Sequence, residues 1–367
     1  MKNQITMLLT NPFDPDVRVY KEAVYLISQG WDVTILCWDR DPAKGLPERE
    51  KKDGIEVVRF PIPSVAGSGK KQLPAFFRYI RACRRYLKAH PCDYLHCNDI
   101  DGAITGYLAR RGGTPMVFDM HEFYERGSGF KRKVWRQLTL FFLKRSVAGL
   151  YENAAYLEEP YRAVRDKLYP LRNYPDRGLI EARPKSESAV FRIGYHGVVR
   201  GQVPEFTALF EAVRDMPDVR VDINGGGVDL PALRELAAGL PNVYLHGPYD
   251  GTAMSSTLYE NTDALFCGYD PRNPNYQGDA EVVKFYEAIF TATPLIMTES
   301  IGMGEKVRRN GYGVTCDTRS PEAIRAAIVK LKNDRDFYRS CVNRERESAS
   351  RYDWQEAVRV LDKIYLK

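Results

Sequence analysis

The chain begins with a mostly apolar run, Ile5 to Leu9, that stops at Thr10-Asn11-Pro12. A short apolar run bounded by turn residues reads as a buried strand. Val17, Tyr20, Val24 and Ile27 then recur at helical spacing, which predicts a helix over 17–29, and Gly30 ends it. Asp32 to Cys37 is the next strand. Two strands joined by one helix within about thirty residues form a βαβ unit, the building block of a parallel sheet. The alternation goes on through a strand at Gly54–Phe60, a helix at 73–89, a strand at Tyr94–Cys97, a helix from Asp101 to Arg111 and a strand at Met116–Asp119. It recurs to about residue 155.

Residues 170–190 differ in texture, being rich in Pro, Gly, Ser and charge, which predicts a linker over 173–190. The alternation restarts after it. Strands are expected at Phe191–Tyr195, Val219–Ile223, Val243–Leu245, Ala264–Phe266 and Pro294–Met297, with helices at 204–214, 231–238, 252–260, 281–292 and 321–332. The fold class is therefore α/β, two tandem Rossmann-like domains, 1–172 and 191–351. Open sheets of this kind bind ligands at the carboxyl ends of their strands, here expected in a cleft where the two domains face each other. The last segment, 352–367, reads as an amphipathic helix that crosses back to the first domain, with Trp354 and Leu361 on its buried face.

Composition changes the picture in two places. Residues 1–172 carry 29 Lys and Arg against 20 Asp and Glu, while residues 173–367 carry 25 against 28. Only the first half is thus suited to an anionic surface. The seven cysteines are scattered without a CxxC pair, which argues against a disulfide framework or a zinc site and fits a reducing cytoplasm. No stretch reads as a signal peptide or approaches the ~20 apolar residues of a membrane span, so a cytoplasmic, soluble or peripheral protein is expected.

Four stretches carry a family resemblance. They are Asp14-Pro15-Asp16-Val17-Arg18 through Leu36; Asp93 through Asp99 with Asp119-Met120-His121-Glu122; Gly194-Tyr195-His196-Gly197; and Tyr269-Asp270-Pro271 through Val283-Lys284-Phe285-Tyr286-Glu287 to Ile296. In this order and spacing the chain resembles glycosyltransferase family 4, of the GT-B fold, over nearly its full length. The resemblance implies a retaining, metal-independent sugar transfer, with a nucleotide-diphosphate sugar donor on the second domain and the acceptor on the first. It departs from the family in two ways. Asp279 stands where many members have the first glutamate of a Glu-x7-Glu pair, with Glu281 nearby but out of register. A lysine expected near Arg200 is also missing, and Lys284 is its candidate substitute.

The donor site is expected around the helix start Asp279-Ala280-Glu281-Val282-Val283, whose N–H groups and dipole suit a departing diphosphate. Arg200 and Lys284 would add fixed positive charge. Glu287, two turns inside, would accept the ribose hydroxyls. Gly225 and Gly226 would let the nucleotide approach the backbone, and Tyr249 would stack on the base. In the first domain His121 would overhang the cleft and bond the transferred sugar or orient the acceptor, with Asp99 beside it. Asp14, Asp16 and Arg18 are acceptor-side candidates. Two Asp-x-Asp patterns, 14–16 and 99–101, offer a rival metal-binding reading, but Asp101 also reads as an acid at a helix start. No cofactor or metal is expected, and no nucleic-acid motif is present.

Two acid-free basic clusters, 70–89 and 126–145, interleave with aromatics. Lys131, Arg132, Lys133, Trp135 and Arg136 read as a face toward anionic lipid, which points to a saccharide or lipid-linked acceptor in cell-surface polysaccharide or glycolipid assembly. Two alternatives share the architecture: a sugar-nucleotide 2-epimerase, and a catalytically silent sugar-nucleotide-binding partner of another transferase.

Overall fold

The computed structural model describes residues 3–14, 16–65, 69–125, 129–273, 276 and 282–365. The chain divides into two compact units, one of 1–172 with 356–367 and one of 173–355.

The first unit runs β1 (Gln4–Leu9), α1 (Val17–Ser28), β2 (Asp32–Asp39), β3 (Arg49–Lys52), β4 (Ile55–Pro61), α2 (Leu73–Ala89), β5 (Tyr94–Asn98), α3 (Asp99–Ala109), β6 (Met116–Met120), α4 (Gly129–Arg145), β7 (Ala148–Tyr151) and β8 (Leu168–Pro170). The strands form one sheet in the order β3-β4-β2-β1-β5-β6-β7-β8, parallel except for the hairpin β3–β4. Parallel strands covered on both faces need near-continuous apolar sequence. Accordingly Ile5, Met7, Leu8, Leu95, Cys97, Met116, Val117 and Phe118 are wholly buried. The register sets Asn98 beside Asp119, so β1, β5 and β6 end on one edge and carry the loops with Asp14, Asp99 and His121 there. Strand β3 was not expected, because Arg49-Glu50-Lys51-Lys52 has no apolar alternation; pairing with β4 at the sheet edge creates it.

The second unit runs β9 (Phe191–His196), α5 (Val203–Val213), β10 (Val219–Asn224), α6 (Leu230–Leu236), β11 (Val243–Gly247), α7 (Gly251–Glu260), β12 (Ala264–Cys267), α8 (Val283–Phe290), β13 (Leu295–Thr298), α9 (Gly302–Asn310), β14 (Gly313–Cys316), α10 (Pro321–Asn333) and α11 (Arg335–Ser348). Its sheet is wholly parallel, ordered β11-β10-β9-β12-β13-β14. Ser320 and Asp334 cap α10 and α11 through their side chains.

Two sequence expectations change. Residues 173–190 are not a free linker but a strap on the second unit. Ile180 is buried in its core, and Lys185 Nζ donates to Tyr259 O (2.9 Å) and Thr293 Oγ1 (2.5 Å). The C-terminal segment is broken into α12 (Trp354–Ala357), a 3₁₀ turn (Val358–Leu361) and α13 (Asp362–Tyr365). The return to the first unit begins at Glu356, where Val358 and Leu361 are buried. Trp354 instead belongs to the second unit, because its N–H donates to Pro175 O. The cysteines of both units are free thiols.

Candidate functional site

In the first unit the strand-end loops gather a buried ionic cluster. Helix α1 turns Arg18, Val19, Glu22 and Ala23 inward, and Asp16 caps it by accepting from Val19 N (3.2 Å). Arg18 Nη2 donates to Asp119 Oδ1 (2.7 Å), and its Nε lies 3.2 Å from Glu22 Oε1. His96 Nε2 lies 3.1 Å from Glu22 Oε2 and 3.8 Å from Asp119 Oδ2. His121 Nε2 donates to Asp119 Oδ2 (2.7 Å), while its Nδ1 faces Asp99 Oδ2 at 3.5 Å. The His121 side chain keeps some access to solvent, at 16%, whereas Glu22, His96 and Asp119 keep none.

Burial alone would lower the pKa of His121, but Asp119 and then Asp99 raise it to about 10. His121 is therefore an imidazolium at neutral pH and acts as a hydrogen-bond donor and fixed positive charge, not as a proton acceptor. His96 behaves likewise: burial lowers it, and its bonds to Asp119 and Glu22 raise it to about 9. Asp119 is pulled well below the carboxylate range. Its burial acts upward, and Arg18 and His121 overcome it. Asp99 has φ +59, a left-handed conformation unusual outside glycine that Asp tolerates. Tyr124 OH donates to its Oδ1 (2.6 Å), which fixes the carboxylate beside His121.

Two first-domain expectations are corrected, and Asp101 takes the helix-start role read from the sequence. Arg18 is 5% exposed and is spent on the buried carboxylates, so it faces no acceptor. Asp16 is engaged as a helix cap and accepts from Asn11 Nδ2 (2.8 Å). Asp101 lies in the first turn of α3, as a helix-start acid, and burial raises its pKa. Asp14 is exposed. Glu22, Asp119 and His121 bring ligand atoms within 4.8 Å of one another, a spacing that a cation would accept. Arg18 already lies against both carboxylates. His96 and Glu22 escaped the sequence reading: each looks like one more position on a strand or a helix until the topology joins them.

On the outer helices, Lys131, Arg132 and Lys133 are exposed, as are Phe130 (81%) and Val134 (41%). Trp135 packs against the core, Phe142 is buried, and Arg136 is held by Glu125 Oε2 at 2.5 Å. Trp135 thus turns toward the core, and Arg136, still about a third exposed, is tied to Glu125, so neither is free on the outward face with Lys131, Arg132 and Lys133. Arg126, at the start of the basic cluster, lies outside the described residues. Helix α2 presents Leu73, Phe77, Arg78, Arg81, Arg84, Arg85 and Lys88 to solvent. No helix among the described residues is long and apolar enough to cross a membrane.

In the second unit the loops after β9 and β10 interlock: Gly197 N donates to Asn224 O (2.8 Å) and Val199 N to Gly226 O (2.8 Å). Gly225, at φ +150, sits so close to Gly197 O that a side chain there would clash with the backbone. It lets the two loops meet; Gly226 lies against Pro248. Lys284 reaches back from α8 over Gly197, where a methyl group would come within 2.5 Å of Nζ, and lies 4.9 Å from the Tyr195 ring centre. Arg200 is exposed farther along the same loop.

Helix α8 starts at Val283, with Val282 as its cap, so Glu287 lies one turn from the start instead of two. Tyr259 OH donates to Glu287 Oε2 (2.9 Å). Tyr249 is half-buried near it; burial, then the Glu287 charge, raises its phenol pKa. His196 is buried beneath. Burial and the adjacent Lys284 lower its pKa to about 3, so it stays neutral, bonded to Thr262 Oγ1 (3.0 Å) and Asn224 Nδ2 (3.3 Å). The structure therefore brings together Lys284, Glu287, Tyr249, Tyr195 and the Gly197 loop. Asp279, Ala280 and Glu281 lie outside the described residues. Tyr259, which orients Glu287, carried no sequence signal beyond its place on α7.

Residues 15–162 match the family model described as a glycosyl transferase 4-like domain. No curated protein matches the chain by sequence. Among solved structures, sucrose-phosphate synthase from Thermosynechococcus elongatus is similar at 16% identity, with 99% of this chain and 98% of that one covered and a TM-score of 0.75. HepE of Anabaena in complex with UDP and glucose is similar at 16% identity, 99% of each chain and a TM-score of 0.70. A UDP-N-acetylglucosamine 2-epimerase is similar at 12% identity, 100% and 96% coverage and a TM-score of 0.63.

Proposed function

We propose that this chain, a GT-B protein resembling glycosyltransferase family 4, transfers a sugar from a nucleotide-diphosphate donor to a saccharide or lipid-linked saccharide. The observation that carries the reading is the Lys284–Glu287 pair one turn apart on α8. The ammonium of Lys284 lies over the Gly197 loop, and the carboxylate of Glu287 is oriented by Tyr259. Lys284 and Arg200 would hold the diphosphate and stabilise the charge that builds on it as the glycosidic bond breaks. Glu287 would accept the two ribose hydroxyls, and Tyr249 would pack on the base. HepE was solved with UDP and glucose, which makes UDP-sugars the first donors to test.

In the first unit the imidazolium of His121 would donate to a hydroxyl of the transferred sugar. Asp119 and Asp99 hold its ring, and Asp14 is left for the acceptor. Because His121 is cationic, the acceptor proton would pass to the departing phosphate oxygen, in a transfer that retains configuration at the sugar. Arg18 and His96 already neutralise Glu22 and Asp119, which supports a reaction that needs no metal. Lys131, Arg132 and Lys133, with Phe130, suit an anionic membrane surface and an acceptor used in cell-surface polysaccharide or glycolipid assembly.

The test is thermal stabilisation by a panel of nucleotides and nucleotide-sugars. One nucleoside diphosphate and its sugar should raise the midpoint by mass action, and Lys284→Ala should abolish the rise. No stabilisation by any of them would overturn the reading. An epimerase, the activity named for one similar structure, would convert the bound sugar-nucleotide without an acceptor.

A further inference from the structure

We propose that the first unit docks on an anionic bilayer edge-on, by the starts of α2 and α4. The strand-end loops with His121 then face the headgroups, and the acceptor is a glycolipid or lipid-linked sugar presented there instead of a free saccharide. The inference rests on the reading of those loops as the acceptor side.

The topology puts both helix starts on one edge. Strands β1, β2, β4, β5 and β6 run parallel, so the loops leaving β4 and β6 emerge beside those of Asp14, Asp99 and His121. Each helix then returns across the sheet to the start of the next strand. Packing fixes the height of each start. Phe76 and Tyr79 stack on Trp38 near the end of β2 (5.8 and 5.6 Å), so Leu73 and Pro74 lie at the rim. On α4, Arg136 Nε donates to Glu125 of the loop after β6 (2.8 Å), which sets the turns before it at the same rim.

The two starts share a chemistry. Val65, Leu73 and Phe77 are 76, 47 and 55% exposed at one, and Phe130 and Val134 are exposed at the other. Large apolar side chains exposed in a group mark an interaction surface. No acidic residue occurs between Glu56 and Asp93. Lys70, Lys71 and Arg78 are exposed around the first start, as Lys131, Arg132 and Lys133 are around the second. Apolar tips ringed by cations, at the positive ends of helices, match a leaflet of anionic lipid. Between the loop 63–65 and α2 an open hollow of about 470 Å³ joins both features. Lys71, Arg78 and Ser64 offer donors to a lipid phosphate there, and Pro63, Val65 and Pro74 offer apolar walls.

The middle of the edge differs. Helix α3 packs between α2 and α4, and its first turn carries Asp99 and Asp101, with Asp99 beside His121. Carboxylates repel phosphate and accept sugar hydroxyls. A bilayer met by both tips therefore leaves the sugar, not the phosphate, at His121. The cations farther along α2 separate this arrangement from a helix lying flat on the lipid. Arg84, Arg85 and Lys88 stand roughly 16–22 Å from Leu73 along the helix axis, about two Debye lengths from a leaflet that the tip touches.

The full chain is sedimented with vesicles of phosphatidylcholine, alone or with phosphatidylglycerol, in the absence of nucleotide. The wild type should bind the acidic vesicles, and salt should release it. Lys71→Ser with Arg78→Ser should weaken binding about 30-fold, or about fivefold for each cation near the leaflet. Leu73→Ser with Phe77→Ser, and Phe130→Ser with Val134→Ser, should each weaken it at least roughly tenfold. Arg84→Ser, Arg85→Ser and Lys88→Ser together should change it less than about threefold. All these side chains are exposed, and an unchanged melting midpoint verifies the fold of each variant. Equal binding to both vesicles, a loss confined to one helix start, or an equally large loss in the Arg84, Arg85 and Lys88 variant would overturn the docking. With membranes as acceptor and labelled UDP-sugars as donor, label entering the lipid fraction should fall in step with vesicle binding. Undiminished transfer by variants that no longer bind vesicles would overturn the lipid acceptor. Docking as described without any transfer by the wild type would support the membrane edge and count instead against the transferase reading.

Discussion

Replacing Glu287 by Ala tests the proposed donor site without disturbing the fold, because the side chain is half-buried on a helix and Ala is the best helix former. The carboxylate is oriented by Tyr259 at 2.9 Å and would accept two ribose hydroxyls. Hydrogen bonds to a charged group contribute about 1.5–3 kcal/mol, so UDP and uridine should both bind roughly 10- to 150-fold more weakly. Tyr259→Phe leaves the carboxylate but frees its rotamer; the loss should be nearer ~0.5–1.5 kcal/mol, about 2- to 12-fold. Lys284→Ala should weaken UDP by a similar factor to Glu287→Ala and leave uridine almost unchanged, since the ammonium meets only phosphate. Titration calorimetry with the two ligands on the three variants separates these contributions. Equal affinities for UDP and uridine in the wild type, or no change in Glu287→Ala, would refute the assignment.

Three further outcomes follow from the structure. Against burial, the carboxylates of Glu22, Asp119 and Asp99 hold His96 and His121 above the ordinary value, at about 9 and 10. Their stabilisation is thus complete below about pH 6.5 and is lost as pH rises through 9 to 10; a urea midpoint that did not fall between pH 7 and 10 would contradict it. Changing Lys131, Arg132 and Lys133 together to Ser should cost about 3 kcal/mol of binding to vesicles containing acidic lipid. The affinity read by sedimentation would then drop roughly 100-fold, with UDP affinity intact. Transfer should persist in EDTA, and its loss with rescue by manganese would return the metal reading to Asp99 or to the Glu22–Asp119–His121 group.

The α/β alternation was legible because buried parallel strands have to be apolar along their whole length, as Ile5–Leu9 and Leu295–Met297 are. The helix 73–89 was legible to the residue: Tyr79, Ile80, Cys83 and Leu87 line its buried face and Arg78, Arg81, Arg84, Arg85 and Lys88 its exposed one. What escaped was set by distant parts of the chain. Glu22, His96 and Asp119 are far apart in sequence and acquire meaning when β5 and β6 pair beside α1. Arg18 looked like a ligand-facing cation; its neighbours were buried carboxylates that composition cannot locate. The close approach of the Gly197 backbone at Gly225 was likewise invisible, since its partner lies on another loop. The strap 173–190 looked like a linker because its anchors, Ile180 and Lys185, are isolated in a polar stretch.

The central claim is that the chain moves a sugar from a nucleotide onto an acceptor, using Lys284 and Glu287 to hold the donor. The most direct measurement supplies UDP-sugars carrying a radiolabel in the sugar, with membranes as the source of acceptor. The label is followed into lipid and saccharide fractions while UDP release is measured in parallel. The account predicts matched UDP release and label transfer by the wild type, and neither by Lys284→Ala. Label that stays nucleotide-bound as an altered sugar, or transfer undiminished in Lys284→Ala, would contradict it.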